Sequence, residues 1–273
     1  MVLELWGSGF NAHGQLLPAR NTDIRTPALL TTGKASLKPL EITWSSLTCI
    51  YVSLPPLSPT LTPPVERDGT TTTYGTTPSV PAAAAAPPPP LANVQILKTA
   101  ASMTSTLHLT STGQVLTAGD SRHSLGRRPS TSTPAGTPCP VPSLVEHKIH
   151  TIAAGGFMGA AIDEMGGCYV WGSPPPPDAA EEDFSFLPEY GEVALVELDE
   201  DEDVVDVAVG SGHVLVLGES GRVWAAGRAE CGQTPAGDGT WRRWEPAPWK
   251  GRVTAVFAGP EAWCSLVLVE REG

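Results

Sequence analysis

The sequence predicts an all-β protein in which one short unit is repeated along the chain and closes into a ring. Three observations support this fold class. Short aliphatic runs are separated by glycines, glycines return at fixed offsets, and the two ends of the chain carry complementary halves of one unit. Short strands with regular turn residues and a fixed repeat length are typical of closed β-architectures such as propellers.

The clearest copy of the unit lies between residues 204 and 234. It predicts three strands, at Val204–Val209, His213–Leu217 and Arg222–Ala225. Glycines lie at the predicted turns that bound the strands. Glycine suits such turns because it adopts a positive φ almost freely, whereas that conformation costs other residues roughly 1–2 kcal/mol. The segment therefore predicts three short strands joined by tight turns.

Further copies are recognised by glycine spacings of eleven and six residues. Three sets share these offsets: Gly210, Gly221 and Gly227; Gly155, Gly166 and Gly172; and Ser102, Gly113 and Gly119, where serine replaces the first glycine. A degenerate fourth copy keeps only the six-residue spacing, between Gly69 and Gly75, and its first strands are predicted between Ile42 and Val52. The closing glycines lie 44 to 55 residues apart, which is the size of one propeller blade.

The ends of the chain supply the fifth unit. Residues 3–15 carry only the second half of the unit, and residues 253–269 carry only the first half. Joining them removes two exposed strand edges, which would otherwise be free to pair with other chains. We therefore predict a propeller of about five four-stranded blades, in which the strand at Leu3–Gly7 pairs with the strand at Trp263–Val269.

These repeats resemble those of the regulator of chromosome condensation family of β-propellers. The resemblance rests on an Ala-x-Gly strand, a strand ending in Trp-Gly or Ala-Ala-Gly, and the following Gly-Gln at Gly14-Gln15 and Gly232-Gln233. The histidine expected three residues after the first glycine is present only as His213. The Gly-Phe-Asn-Ala-His-Gly-Gln opening at residues 9–15 and the Ala-Gly-Pro at residues 258–260 look more like the short, divergent members of the family, such as the fungal alpha-tubulin-suppressor type.

Length and composition indicate a single domain over residues 1–273. The chain has no apolar run of membrane-spanning length and no leader-like start, which predicts a cytoplasmic or nuclear protein without membrane contact. Its five cysteines form no C-x-x-C pair, so we expect buried free thiols, with no metal and no cofactor.

Residues Leu16–Lys38 are predicted to form a polar connector that leads into the degenerate copy. Three further segments interrupt the repeats. Residues 54–93 are rich in Pro, Thr and Ala, and they predict a disordered or polyproline insert, either passive or a ligand for a proline-recognition domain. Residues 127–142 form a Ser/Thr/Pro-rich connector. Residues 173–203 form an acidic insert.

The acidic insert is the main candidate for a binding site. Between Asp178 and Asp203 it has twelve carboxylates and no Lys or Arg, whereas the rest of the chain is balanced. Charge interleaved with aromatic side chains suits a basic protein partner, and a merely solubilising loop is the alternative. The predicted partner-binding residues in this insert are Glu181, Glu182, Asp183, Phe184, Phe186, Tyr190, Asp199, Glu200 and Asp201.

A second candidate is the aromatic and cationic cluster at residues 241–249. Trp241 and Trp244, beside Arg242 and Arg243, could form a recognition patch, although packing between blades explains the same residues.

Two other motifs give weaker indications of a metal or phosphate site. His147-x-x-His150 has no nearby Cys or carboxylate ligand other than Glu146, and the Gly-x-Gly after Val209 precedes a strand rather than a phosphate-binding helix.

These features predict a non-enzymatic interaction scaffold or adaptor that binds a protein with a basic surface, as a monomer or as a subunit of a hetero-oligomer. The resemblance implies two settings for an adaptor, a tRNA- or translation-factor-modification complex or a chromatin-associated one. It also implies an alternative, a guanine-nucleotide exchange factor for a Ran-like small GTPase. Direct nucleic-acid binding is disfavoured, because the formal charge is −12 and no basic stripe is present.

Overall fold

The computed structural model describes residues 2–12, 14, 16–17, 20–34, 41–45, 49–53, 71–75, 94–175, 181–198, 202–235, 240–245, 247–259, 261 and 263–272. For residues 33–34, 41–45, 49–53, 71–75 and 181–182 it describes the backbone alone.

Nineteen strands account for almost all the regular structure in the described residues. In chain order they are β1 (Val2–Gly9), β2 (Ile24–Lys34), β3 (Glu41–Ser45), β4 (Cys49–Ser53), β5 (Thr71–Gly75), β6 (Ile96–Ala101), β7 (Ser105–Thr110), β8 (Val115–Gly119), β9 (Cys139–Pro140), β10 (Ile149–Gly155), β11 (Met158–Asp163), β12 (Cys168–Gly172), β13 (Ala194–Leu195), β14 (Val204–Val209), β15 (His213–Gly218), β16 (Val223–Gly227), β17 (Arg242–Arg243), β18 (Arg252–Phe257) and β19 (Cys264–Arg271). Two short 3-10 helices lie at Pro142–Leu144 and Glu181–Phe184. In the described part of the chain, no helix is long and apolar enough to cross a membrane.

The strands form five antiparallel sheets, which confirms the predicted propeller of about five blades. Blade 1 has the order β18-β19-β1-β2, blade 2 has β3-β4-β5, and blades 3, 4 and 5 have β6 to β9, β10 to β13 and β14 to β17. Blade 2 thus shows three strands in the described residues, and the other blades show four.

Blade 1 joins the two ends of the chain. All eight residues of β1 pair with β19, from Val2 opposite Arg271 to Gly9 opposite Cys264. On its other side β1 pairs with β2. This confirms the predicted pairing of Leu3–Gly7 with the C-terminal strand, which closes blade 1 without leaving β19 as a free edge.

Apolar cores lie between consecutive blades. One core joins blades 3 and 4 through Leu107, Ile152 and Trp171. A second joins blades 4 and 5, and a third joins blades 5 and 1 around Leu215 and Val267. Each blade between these cores is covered on both faces, so its burial depends on both of its neighbours.

A β-bulge recurs at the same place in every blade. In each blade the pairing between the first and second strands shifts register after the first one or two residue pairs. The first strand has one extra, unpaired residue at this point. The inserted residues are Thr43, Leu97, His150, Val205 and Thr254. Bulges are specific features that re-aim side chains, so their recurrence identifies blade 2 as a true copy of the unit despite its degenerate sequence.

The outermost strands lie in segments that the sequence indicated as connectors. Residues Ile24–Lys34, expected to be a polar connector, form β2 instead. The connectors at 127–142 and 173–203 contain the two-residue strands β9 and β13. Of the insert at 54–93, only Thr71–Gly75 lies within the described residues, and it forms β5.

The closing glycines have one structural reason. Gly227 has φ of 103°, and a Cβ added there would overlap the carbonyl oxygen of Gly212, which accepts a hydrogen bond of 2.9 Å from the Arg228 amide. Positive φ and the same close carbonyl recur at Gly9, Gly119 and Gly172. The third strand of each of these blades therefore ends with its backbone pressed against the loop before the second strand.

Replacing Gly227 by Ala should lower the free energy of unfolding by about 2 kcal/mol or more, because a Cβ adds both backbone strain and overlap. The matched control is Gly136→Ala, since a Cβ added at Gly136 would meet no atom within 4 Å and its φ is not positive. Urea unfolding of the two variants measures the difference. Equal stabilities would contradict the steric explanation for the closing glycine.

The histidine of the repeat occupies a buried site between blades 5 and 1. The ring of His213 lies directly over the α-carbon of Gly210, which leaves no room for a side chain there. In blade 3 the equivalent pair is Ser102 and Ser105, whose hydroxyl groups are 2.9 Å apart. His213 is fully buried, and this burial lowers its pKa to about 4 although a backbone hydrogen bond with Cys264 opposes the shift.

The neutral form of His213 should make stability depend on pH. The pKa of His213 in the folded state lies below the usual value of about 6.5. The contribution of the neutral ring to the free energy of unfolding is therefore complete above about pH 6.5 and is lost as the pH falls toward 4. At pH 5.5 the loss should be about 1.4 kcal/mol. Blade 4 has Met158 at the equivalent position. Replacing His213 by Met should therefore remove this pH-dependent loss of stability, which urea titrations at pH 7.5 and 5.5 measure. An equal loss in both proteins would contradict it.

Candidate interaction surface

The acidic insert runs along the edge of the propeller as the connector between β12 and β14, and we call residues 173–203 the acidic connector. Its described residues are 173–175, 181–198 and 202–203. They include the 3-10 helix Glu181–Phe184 and β13, which pairs with β12 through Leu195 opposite Tyr169. The connector therefore completes blade 4.

Phe184 and Phe186 attach the connector to the propeller. Phe184 is 3% exposed and belongs to the core between blades 4 and 5. Phe186 packs against the same core, with its ring 6.2 Å from that of Phe184 and edge-to-face with Trp241 at 5.4 Å. Phe184, one of the predicted partner-binding residues, thus lies in the core, where burying a large aromatic ring gains roughly 2–3 kcal/mol.

Tyr190 attaches the other end of the connector to blade 3. Its hydroxyl group donates a hydrogen bond to the carbonyl oxygen of Ser121, and the amide of Gly191 donates one of 3.2 Å to Ser124. Glu192 lies 3.7 Å from Arg128, in an ion pair that is too exposed to add much stability. Tyr190 itself stays 42% exposed, so it remains available to a partner.

The carboxylates of the connector differ in their surroundings. Glu189, Glu197 and Asp203 are exposed. Glu202 accepts a hydrogen bond of 2.6 Å from the Ser220 amide and lies 3.9 Å from Arg222, which joins it to blade 5. The side chains of the predicted residues Glu181, Glu182, Asp199, Glu200 and Asp201 lie outside the described part of the structure, and Asp183 is half-buried.

The tryptophans at 241–249 serve packing. Trp244 and Trp249 are buried in the core between blades 5 and 1, with rings 6.2 Å apart. Trp249 also lies 6.4 Å from Trp6, edge-to-face, and Trp241 is half-buried against Phe186. Trp244 is therefore buried, in an arrangement that fits the alternative of packing between blades.

His147 belongs to a polar network at one end of blade 4. Its Nδ1 atom lies 2.9 Å from Asp163 and 2.8 Å from the hydroxyl group of Tyr169. Burial, and then the bond to Asp163, raise the pKa of Tyr169 to about 12. His150 instead contacts Thr151 at the surface.

Within the described residues, no group of three or more His, Cys, Asp or Glu side chains could hold a metal ion.

Comparison with known proteins supports the repeat interpretation. The family profile described as "Regulator of chromosome condensation (RCC1) repeat" matches residues 204–233, which include β14, β15 and β16. Alsin of Mus musculus is 28% identical over 123 residues, which cover 42% of this chain and 8% of Alsin. The chain therefore spans less than a tenth of that relative.

Two solved structures share the fold. Human WBSCR16 has a TM-score of 0.50 at 12% identity, over 98% of this chain and 99% of its own. Prp20p of Saccharomyces cerevisiae, whose binding to Gsp1p and histones is described with its structure, has a TM-score of 0.50 at 14% identity, over 92% of this chain and 60% of its own. The chain thus contains one segment that matches the RCC1 repeat, residues 204–233, and it shares the β-propeller fold of these two structures.

Proposed function

We propose that this propeller is a non-catalytic interaction scaffold or adaptor subunit that binds a protein partner with a basic surface. The observation that carries the proposal is the acidic connector, which concentrates twelve carboxylates between Asp178 and Asp203. The rest of the chain has seventeen acids and seventeen bases. A local charge of this size attracts an opposite surface without requiring any reaction chemistry.

The attachment of the connector supports this function. Phe184 and Phe186 fix it to the core between blades 4 and 5, and Tyr190 fixes it to blade 3. Carboxylates held in one place lose less conformational entropy on binding than those of a free tether. Since the Debye length is about 8 Å at physiological ionic strength, the clustered charges act together on a nearby basic surface and weaken with added salt.

A guanine-nucleotide exchange factor for a Ran-like GTPase is the second candidate. It is favoured by the shared fold with Prp20p, which is described as binding Gsp1p. Exchange requires a protein element that disrupts the phosphate and Mg²⁺ contacts of the GTPase. We match no residue of this chain to such an element, and the shared fold alone does not carry an activity.

The cellular setting follows from the family resemblance alone. The similarity to short, divergent members suggests a subunit of a tRNA- or translation-factor-modification complex, and the family's chromatin-binding members suggest a chromatin-associated one. Both settings agree with a cytoplasmic or nuclear protein.

Purified core histones provide a basic probe for the proposed function. Replacing Glu181, Glu182, Asp183, Asp199, Glu200 and Asp201 by their amides should slow association roughly tenfold at low salt, because electrostatic steering is lost. The control carries six glutamine substitutions at exposed glutamates elsewhere: Glu146, Glu164, Glu219, Glu230, Glu245 and Glu261. It changes the net charge equally and should bind nearly as the wild type does.

Biolayer interferometry at two salt concentrations gives both rate constants. Absence of histone binding, or equal slowing of association in the two variants, would contradict the proposal.

Release of labelled nucleotide from Ran should stay at its intrinsic rate in the presence of this protein. Acceleration by several orders of magnitude would favour the exchange factor instead.

A further inference from the structure

We propose that the basic partner docks at the junction of blades 3 and 4, where an apolar side chain of the partner contacts Met103 beside the acidic connector. The inference rests on the proposed function and adds the place and the chemistry of contact. The junction lies on the face of the ring that holds the loops between first and second strands, residues 102–104, 156–157 and 210–212. We call this the loop face.

The loops of blades 3 and 4 meet directly on the loop face. The Met103 amide donates a hydrogen bond of 2.9 Å to the carbonyl oxygen of Gly156. The neighbouring ring of Phe157 lies 4.3 Å from that of His123, and Nδ1 of His123 lies 2.8 Å from the hydroxyl group of Ser173. These contacts bring Met103, Phe157 and His123 together at the junction.

The acidic connector borders this surface. The amide of Asp120 donates a hydrogen bond of 2.8 Å to the carbonyl oxygen of Thr104, next to Met103. Tyr190 then bonds to Ser121, next to Asp120. We define the junction patch as Met103, Asp120, Arg122, His123, Phe157 and Tyr190, which these contacts connect without a gap.

The composition of the junction patch is that of an interface. Met103 is 55% exposed and Tyr190 is 42% exposed, while His123 and Phe157 are half-buried. Methionine, aromatic residues and arginine are enriched at protein interfaces, and methionine adapts its shape to a partner. An exposed methionine beside aromatic rings therefore offers a contact for an apolar side chain.

The charges around the patch select a basic partner. Asp120 and Arg122 neutralise each other through hydrogen bonds of 2.6 to 3.1 Å, and the guanidinium lowers the pKa of Asp120 to about 2. Burial lowers the pKa of His123, which disfavours its charged form. The acidic connector, with the exposed Glu189 next to Tyr190, then sets the sign of the local field.

Met165 provides a matched control. It is 83% exposed and lies in the turn between β11 and β12, whereas Phe157 lies just before β11. The six residues of β11 separate these ends by about 20 Å, so Met165 lies on the opposite face of the ring. Both methionines are exposed, and only Met103 belongs to the junction patch.

The test uses a short peptide rich in lysine and arginine with one central leucine, and a second peptide with serine in its place. Fluorescence anisotropy should show that Met103→Ala weakens binding of the leucine peptide roughly fivefold, and that Met165→Ala leaves it unchanged. With the serine peptide, Met103→Ala should have little effect, because the contact it removes is already missing. Melting temperatures verify that both variants remain folded.

A second readout locates the contact without substitutions. Brief oxidation with hydrogen peroxide converts exposed methionines to sulfoxides, which mass spectrometry detects. The leucine peptide should protect Met103 and leave Met165 as reactive as before. If the wild type binds the peptide, but both Ala substitutions weaken binding equally and the peptide protects both methionines equally, the docking site at the junction patch is wrong. The proposed function would then remain intact. Absence of any binding would overturn both.

Discussion

The pairing of β1 with β19 is the interaction on which the rest of the ring depends. It joins residues from the two ends of the chain into one sheet, in which β1 lies between β19 and β2. Without β1, β19 would present an open edge, and blade 1 would lose two of its four strands. The core between blades 5 and 1 includes Val267 and Val269 of β19, so it also relies on this sheet being complete.

Closure leaves the connectors as the part of the ring that is freest to vary. In blades 1, 3, 4 and 5 the first three strands are fixed by inter-blade cores and by close backbone contacts such as that of Gly227 with Gly212. The connectors lead to the outermost strands, where sequence can vary without disturbing the ring. The acidic connector uses this freedom. Phe184 and Phe186 supply its attachment, and the described carboxylates of Glu189, Glu192 and Glu197 are exposed.

The sequence predicted the features that backbone geometry dictates. Val204–Val209 was predicted with its observed bounds, since β-branched residues between turn glycines leave few alternatives. The pairing of the ends followed from the two half-units. In contrast, β9, β13 and β17 have two residues each, too few for any alternation of apolar and polar residues to be visible.

The errors have physical reasons as well. Segment Ile24–Lys34 contains Pro27 and several threonines, which read as a connector, but an outermost strand tolerates proline because one of its edges is unpaired. Phe184 follows three acidic residues, so its burial could be known only from the core between blades 4 and 5. The contacts of the junction patch join loops far apart in sequence, and no local pattern reveals them.

Hydrogen exchange at β1 tests the central claim most directly. Its amides near Leu5 and Trp6 should open only with global unfolding, with the same opening free energy as the amides of β11 and β15. That result would show that the paired ends hold the ring as one cooperative unit. If the β1 amides instead exchanged through a local opening of much lower free energy while β11 and β15 stayed protected, the ring would not depend on its closure.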